Sequence, residues 1–327
     1  MKSHADFFRG QLCASFGREK LGSTKLAEWI GSPSASLTAP ITGGYPQVLQ
    51  SLTSLKPLFA FEASRFASAA LESYSTILGK WSGPEDRDGL AWRLIGLYYS
   101  AYYSAHAILR LSGISVTQIE SWATIEKEFQ TLYRSVPLTT LGLQRGYHVV
   151  KLDTSGTSMS ISKAKVDSTH GSHTILWSEF KELADTGYSN SGLNTSSHQA
   201  ALEAYSQKLA TPLTMDDGSS CNWPWMPVIR NRINYRLPDQ VWGPFAKRIT
   251  PSANKQIHQL IVSPTSDLIA DAATAELVWL RFSGSCVYLV SLLCHLLRDM
   301  EIRARSMSLL PFVFKERSQI ISKLCAA

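Results

Sequence analysis

Cysteine is scarce and scattered. Cys13, Cys221, Cys286, Cys294 and Cys325 form no CxxC pair and have no His at zinc-finger spacing, which excludes a zinc finger or ribbon. An odd, dispersed set fits a reducing compartment, and the expected location is cytoplasmic. Cys286 and Cys294 lie in an apolar run and read as small core residues. Fingerprint motifs are missing too. Without GxxxxGK[ST] or GxGxxG there is neither a P-loop nor a dinucleotide-binding turn. Without GxSxG or HExxH there is neither a nucleophile elbow nor a zincin helix. His170 and His173 stand close together in HGSH, but no Cys or acidic pair flanks them at ligand spacing. They read as turn residues, and neither a metal nor a cofactor is expected. The first twenty residues hold no apolar h-region, so no signal peptide is expected. Internal repeats and low-complexity tracts are absent.

Charge is also sparse, at 18% of residues against 44% apolar, a balance that suits a globular chain and excludes a disordered one. The 327 residues suffice for one large domain or two modest ones with a buried core. The formal charge is +6 and the pI about 9.0, which permits a polyanionic partner such as RNA without requiring one. One segment has membrane-spanning length, Leu277 to Leu297. Arg281 and His295 interrupt it, and the uncharged stretch from Phe282 to Cys294 is 13 residues with three serines. That is short for a span, so a buried core helix is expected and no membrane partner.

The stretch on which the chain is organised is WRLIGLYYSAYYSAHAILRL, Trp92 to Leu111. Ile95, Tyr98, Tyr102, Ala105 and Leu109 recur at helical spacing and form an apolar face. Tyr99, Tyr103, His106 and Arg110 recur at the same spacing on a neighbouring face, which therefore carries hydroxyls, an imidazole and a guanidinium. Gly113 follows as a stop signal. Before this helix, residues 31–57 are rich in Ser, Thr, Pro and Gly and read as loop. A helix with many small residues is expected from about Leu58 to Leu78. After it, a helix is expected from Val116 to Val136, closed by Pro137.

The pattern changes at Tyr147. HVVKLD, TSGTSMSISKAKV and HTILW read as short strands, so residues 147–177 form a β-hairpin or small sheet inserted in a helical body. Lys151, Lys163 and Lys165 lie there, as a basic flap or as edge lysines that blunt aggregation. Residues 184–196 read as a polar loop and Ser197 to Leu209 as a helix. A last long helix is expected from about Ala270 to Arg303.

The segment CNWPWMPVIRNRINYRLP places Pro227 at the first turn of a short helix and Pro238 beyond its end. Two stretches together resemble the HEPN family, small helical bundles named for nucleotide binding in higher eukaryotes and prokaryotes. YYSAYYSAHAILRLSG is similar to their second helix. Arg230-Asn231-Arg232-Ile233-Asn234-Tyr235 is similar to their ribonuclease motif, an Arg, a polar residue often Asn, and a His four to six residues after the Arg. Tyr235 stands where that His falls, and neither Arg236 nor Leu237 replaces it.

The resemblance implies a mainly α fold: a HEPN-like helical bundle at 58–303 with the hairpin inserted at 147–177, flanked by irregular extensions at 1–57 and 304–327. It implies a metal-independent endoribonuclease of a bacterial toxin or antiphage-defence type, acting as a homodimer on RNA or with a partner protein. Arg230 would clamp phosphate, its planar fork suiting phosphate oxygens. Asn231 would orient it. Tyr235, with His106, would assist proton transfer, although a phenol is a poor base at neutral pH. Arg232, Arg236, Tyr99, Tyr103 and Arg110 would contact RNA. The alternative is a HEPN-like subunit that holds RNA, nucleotide or partner without cutting. Arg230 to Arg236 also read as a buried polar knot that fixes the helices. A His near Arg230 in space favours the enzyme; an Arg230 whose donors are all satisfied by protein favours the scaffold.

Overall fold

The Trp92–Leu111 stretch becomes the axis of the molecule. In the computed structural model the described residues are 24–30, 36–37, 47–50, 54–79, 83, 89–122, 145–153, 155–164, 171–190, 213–214, 218, 220–235, 249–304 and 319–325. The helices are α1 (Leu26–Ile30), α2 (Lys56–Gly79), α3 (Leu90–Leu111), α4 (Gly171–Asn190), α5 (Met226–Tyr235), α6 (Pro251–Val262), α7 (Ser266–Thr274) and α8 (Val278–Ala304). A further helical segment covers 319–325. The fold is mainly α. Helix α3 packs against α2, α4, α5, α8 and the strand that follows it. Of its 22 residues 18 are buried, so it is a core helix on nearly every side. Gly113 (φ 75°) turns the chain after it, and its N–H donates to the Arg110 carbonyl at 3.0 Å. Small residues allow close approach of α2: the Ser100 hydroxyl donates to the Ala70 carbonyl at 2.7 Å, and the Tyr74 hydroxyl donates to the Ile261 carbonyl on α6 at 2.6 Å.

The β component is larger than a hairpin. Strands β1 (Ser36–Leu37), β2 (Gln47–Gln50), β3 (Ile114–Ile119), β4 (Gly146–Leu152) and β5 (Ser158–Lys163) form one antiparallel sheet in the order β1-β2-β5-β4-β3. Two short strands, β6 (Leu213–Thr214) and β7 (Ser220–Cys221), pair separately. The segment 31–57, expected as loop, thus contributes β1 and β2. The helix expected from Val116 is instead strand β3, paired with β4 from Ile114↔Lys151 to Ile119↔Gly146. Here Val116 and Ile119 are buried and the β-branched Ile114, Val116, Thr117 and Ile119 favour the pleated surface. The remainder of that expected helix, from residue 123, lies outside the described residues, as does Ser197 to Leu209.

HTILW, expected as a strand, opens helix α4, which also takes in 184–190 of the expected polar loop. Ile175, Leu176, Trp177 and Phe180 are buried, a helical spacing that outweighs the β-branched pair Thr174-Ile175. The last long helix is two elements: α7 ends at Thr274 with Ala275 extended (φ −60°, ψ 138°), and α8 starts at Val278. Neither Gly nor Pro marks that break. Helix α6 went unnoticed in the sequence, although Thr250-Pro251 signals it. The Thr250 hydroxyl accepts from the Ala253 N–H at 3.2 Å and proline takes the first turn. The flanking segments are not merely irregular. Leu26, Ile30, Ile321 and Leu324 belong to the same buried core as α3 and α8. Among the described residues one helix, Val278–Ile302, is long and apolar enough to cross a membrane, and 83% of its apolar window is buried inside the protein. Cys286 and Cys294 are fully buried within it.

The β4–β5 turn is built on one carboxylate. Asp153 Oδ1 accepts from the N–H groups of Gly156 at 2.8 Å, Thr157 at 3.2 Å and Ser158 at 3.2 Å. Gly156 (φ +78°) lies against the Lys56 side chain, where a Cβ would sit 2.4 Å from Cε. Partial burial works against ionisation of Asp153, but the hydrogen bonds from Ser155, Ser158 and Gly156 outweigh it and hold the carboxyl below its ordinary range. Its stabilising effect is therefore present above the ordinary carboxylate range and lost as pH falls through its lowered value. Asp153→Ala is expected to cost about 1–2 kcal/mol, lost hydrogen bonds to a charged group offset by solvent exposure. Urea unfolding at neutral pH should show this loss, and the difference from the wild type should shrink at acid pH.

Candidate functional site

The polar stripe of α3 divides into two parts with different fates. The lower part is a buried ionic knot. Arg110 Nε donates to Glu62 Oε2 of α2 at 2.6 Å, and Nη1 donates to His106 Nδ1 at 2.9 Å. Nη2 reaches the Val116 carbonyl of β3 at 3.4 Å, and Glu62 Oε1 accepts from the Leu26 N–H of α1 at 3.1 Å. Phe66 stacks on the His106 ring at 4.5 Å and lies under the Arg110 guanidinium at 4.2 Å. Arginine only donates, so Nδ1 of His106 accepts and its proton sits on Nε2. Burial first, and the Arg110 charge second, push the His106 pKa well below its ordinary value. His106, expected as a proton-transfer residue, and Arg110, expected as an RNA contact, are 6% and 2% exposed. Both are corrected to interior residues that tie four elements together.

The upper part of the stripe reaches the surface at Tyr99 and Tyr103, both half-buried. Helix α5 delivers Arg230 to Tyr99: Nη2 donates to the Tyr99 hydroxyl, and the guanidinium carbon lies 5.4 Å from the ring centre. Arg230 Nη1 donates to Asn231 Oδ1 at 2.7 Å, with Asn231 exposed. The lead-in places this helix: Trp225, Met226, Ile229 and Ile233 are buried, and Trp223 Nε1 donates to the Trp177 carbonyl at 3.2 Å. Arg232 is 9% exposed and faces the interior rather than a polyanion. The side chain of Tyr235 and all of Arg236 lie outside the described residues.

A histidine that the sequence marked only as a turn residue joins this cluster. His173, on the first turn of α4, has Nδ1 2.8 Å from the Tyr98 hydroxyl, which accepts from Trp177 Nε1 at 3.1 Å. Its ring centre is 4.3 Å from that of Tyr102 and 6.2 Å from that of Tyr99, the ring that also carries Arg230. Burial, and then the Arg230 charge, push the His173 pKa down to about 4, so the imidazole is neutral at physiological pH. The signal in the sequence was weak: GSHTILW places His173 one turn before Trp177, so a helical reading sets both on the face that meets Tyr98. His295 lies on α8 and is pushed to about 4 chiefly by burial; it belongs to neither cluster.

The geometry thus links a carboxamide, a guanidinium, a phenol and a neutral imidazole in a row, Asn231 to Arg230 to Tyr99 to His173. No His/Cys/Asp/Glu group that could hold a metal occurs among the described residues. Comparison with protein-family models, curated proteins and solved structures finds no match.

Two outcomes are expected. Arg110→Ala leaves a buried, unpaired Glu62 and should cost about 3–5 kcal/mol in urea unfolding, while the paired change Glu62→Leu with Arg110→Met should cost far less. His173 is held neutral in the folded state, so between pH about 6.5 and about 4 the unfolded chain binds a proton that the native chain does not. Stability therefore falls as pH drops through that window, and His173→Gln should make the fall shallower.

Proposed function

We propose that this chain is a HEPN-like RNA-targeting protein and cuts RNA without metal, with Arg230 and His173 as its reacting pair. The observation that carries this reading is that Arg230 and His173 both lie near the Tyr99 ring. The motif on α5 lacks its histidine, and α4 supplies an imidazole beside the tyrosine that Arg230 also touches. In this reading Arg230 binds the scissile phosphate and stabilises the charge that develops on it. The neutral His173, with Nδ1–H donating to the Tyr98 hydroxyl, takes the 2′-hydroxyl proton at the unprotonated Nε2. The 2′-oxygen attacks phosphorus, the bond to the 5′-oxygen breaks, and that oxygen takes up a proton. The products are a 2′,3′-cyclic phosphate and a 5′-hydroxyl. Asn231 orients the guanidinium. The resemblance adds a homodimer and a setting in bacterial toxin or antiphage systems.

A second reading keeps the RNA site without cleavage. It is favoured by the bonds that Arg230 already makes to Tyr99 and Asn231, which satisfy part of the guanidinium within the protein.

Purified protein incubated with cellular RNA in chelator is expected to give discrete fragments with 5′-hydroxyl ends. Arg230→Ala should lower the rate by about 10²–10³-fold and His173→Gln by about 10²–10⁴-fold, with both variants folded by thermal unfolding. The wild-type rate should fall on acidification with an apparent pKa of about 4, as the base becomes protonated. Cleavage that survives both substitutions overturns the reading; RNA bound but uncut supports the second.

A further inference from the structure

Helix α3 is buried on every side but one. Its four residues that are not buried are Trp92, Gly96, Tyr99 and Tyr103. They are spaced four, three and four apart, which is the a/d spacing of a coiled-coil seam. Helix α2 runs antiparallel beside α3: Ser100 bonds Ala70, Gly96 faces Ile77, and Tyr103 lies 6.2 Å from Phe66. On α2, Arg65, Ala69, Glu72 and Thr76 repeat the same four, three, four spacing, and none of them is buried. Ala69, Glu72 and Thr76 line one wall of a groove of about 750 Å3, and the α3 stripe lines the other. Two helices that each turn a heptad-spaced seam to a shared groove form a seat for a third helix.

The groove's length and lining suit such an occupant. From Trp92 to Tyr103 it runs about 16 Å at the helical rise, enough for about 12 residues of helix. Trp92 is 64% exposed, a large apolar side chain of the kind that anchors partner contacts. Gly96 and Ala69 are small, so an occupant's backbone can come close. The rim carries two charges of opposite sign one heptad apart, Arg65 and Glu72, both exposed. Arg65 lies 5.7 Å over the Phe61 ring of its own helix, and the Glu72 carboxylate has no partner among the described residues. Arg93 also lines the groove, but it is 7% exposed and already engaged within the protein, so the rim pattern is set by the other two. Rim charges flanking a heptad seam select the partner by sign. A helix seated here therefore needs a basic residue for Glu72 and, seven positions away, an acidic residue for Arg65.

We propose that the α2–α3 groove is the docking site for an amphipathic helix of a partner protein, with apolar residues at a/d spacing and one basic and one acidic rim residue seven positions apart. A polyanion meets a like charge at Glu72, and a uniformly basic segment meets one at Arg65. The proposal goes beyond the ribonuclease reading and stands without it. Tyr99 joins the two regions, since it lines the groove and its hydroxyl accepts from Arg230. A docked helix thus lies beside the Arg230 cluster.

The test is a display library of helices about 15 residues long, with leucine fixed at the a/d positions and all others randomised, selected on the immobilised full chain. Enriched helices should carry a Lys or Arg and, seven positions away, an Asp or Glu. Selection on Arg65→Glu should instead enrich two basic residues at that separation, and selection on Glu72→Lys two acidic ones. In fluorescence anisotropy, Trp92→Ala and Thr76→Phe, the latter filling the groove from an exposed position on α2, should each weaken binding of the enriched peptide about tenfold or more. Thermal unfolding should show all four variants folded, since each changes an exposed side chain. No enrichment, enrichment without the paired charges, or a peptide that binds the variants as it binds the wild type overturns the proposal. Self-association of the wild type that Thr76→Phe abolishes assigns the groove to a second copy, and single-stranded RNA binding that Thr76→Phe abolishes assigns it to nucleic acid; either result also overturns it. The ribonuclease reading is decided separately, by cleavage in the Arg230 and His173 variants.

Discussion

The pair Glu62–Arg110 is the constraint on which the rest of the structure depends. Two opposite charges, each almost fully buried, are stable only if every remaining donor and acceptor is satisfied. That requirement recruits the Leu26 N–H from α1, His106 from the turn before, the Val116 carbonyl from β3 and the Phe66 ring from α2. The knot therefore sets the rotation of α3 about its own axis. With Arg110 and His106 turned inward, Tyr103 and Tyr99, about two and three turns before Arg110, come to the open edge beside α2. A buried network of this kind specifies one arrangement more sharply than apolar packing does.

Rotation of α3 then decides what can gather at its upper end. Tyr98 points toward α4 and holds both His173 and Trp177. Tyr99, the next residue, points toward α5 and the groove and holds Arg230. Two adjacent tyrosines thus connect three helices. The tryptophans that precede α5 fasten it to α4 through Trp223 and Trp177, and Arg281 of α8 lies 5.8 Å over the Trp225 ring. The half-open cluster is supported by rigid aromatic packing, which suits a site whose groups must hold their positions.

Much of this was legible in the order of residues, and the failures have physical causes. The apolar face of α3, its glycine stop, helix α2, the proline at the first turn of α5 and the strands β4 and β5 follow from periodicity and turn chemistry. The polar stripe of α3 was legible as a stripe, but not its division into a buried half and an open half. That depends on Glu62, which reads in sequence as one acid among small residues. His173 was set aside because its only evident neighbours, His170 and Gly171, suggest a turn. Strand β3 reads as a helix because Ile119, Trp122, Ile125 and Phe129 recur at helical spacing, whereas the strand is set by its pairing with β4, which local spacing does not show.

Local spacing, which acts over one or two turns, was enough to establish that the chain is mainly helical, where its longest helices run, and that Tyr, His and Arg share faces of one of them. The assembly of the candidate site was decided by packing: Tyr98 meets His173 across 75 positions and Tyr99 meets Arg230 across 131. No periodic pattern reaches that far. Such contacts depend on how α3 is turned, and α3 is turned by a buried charge that must find its partner.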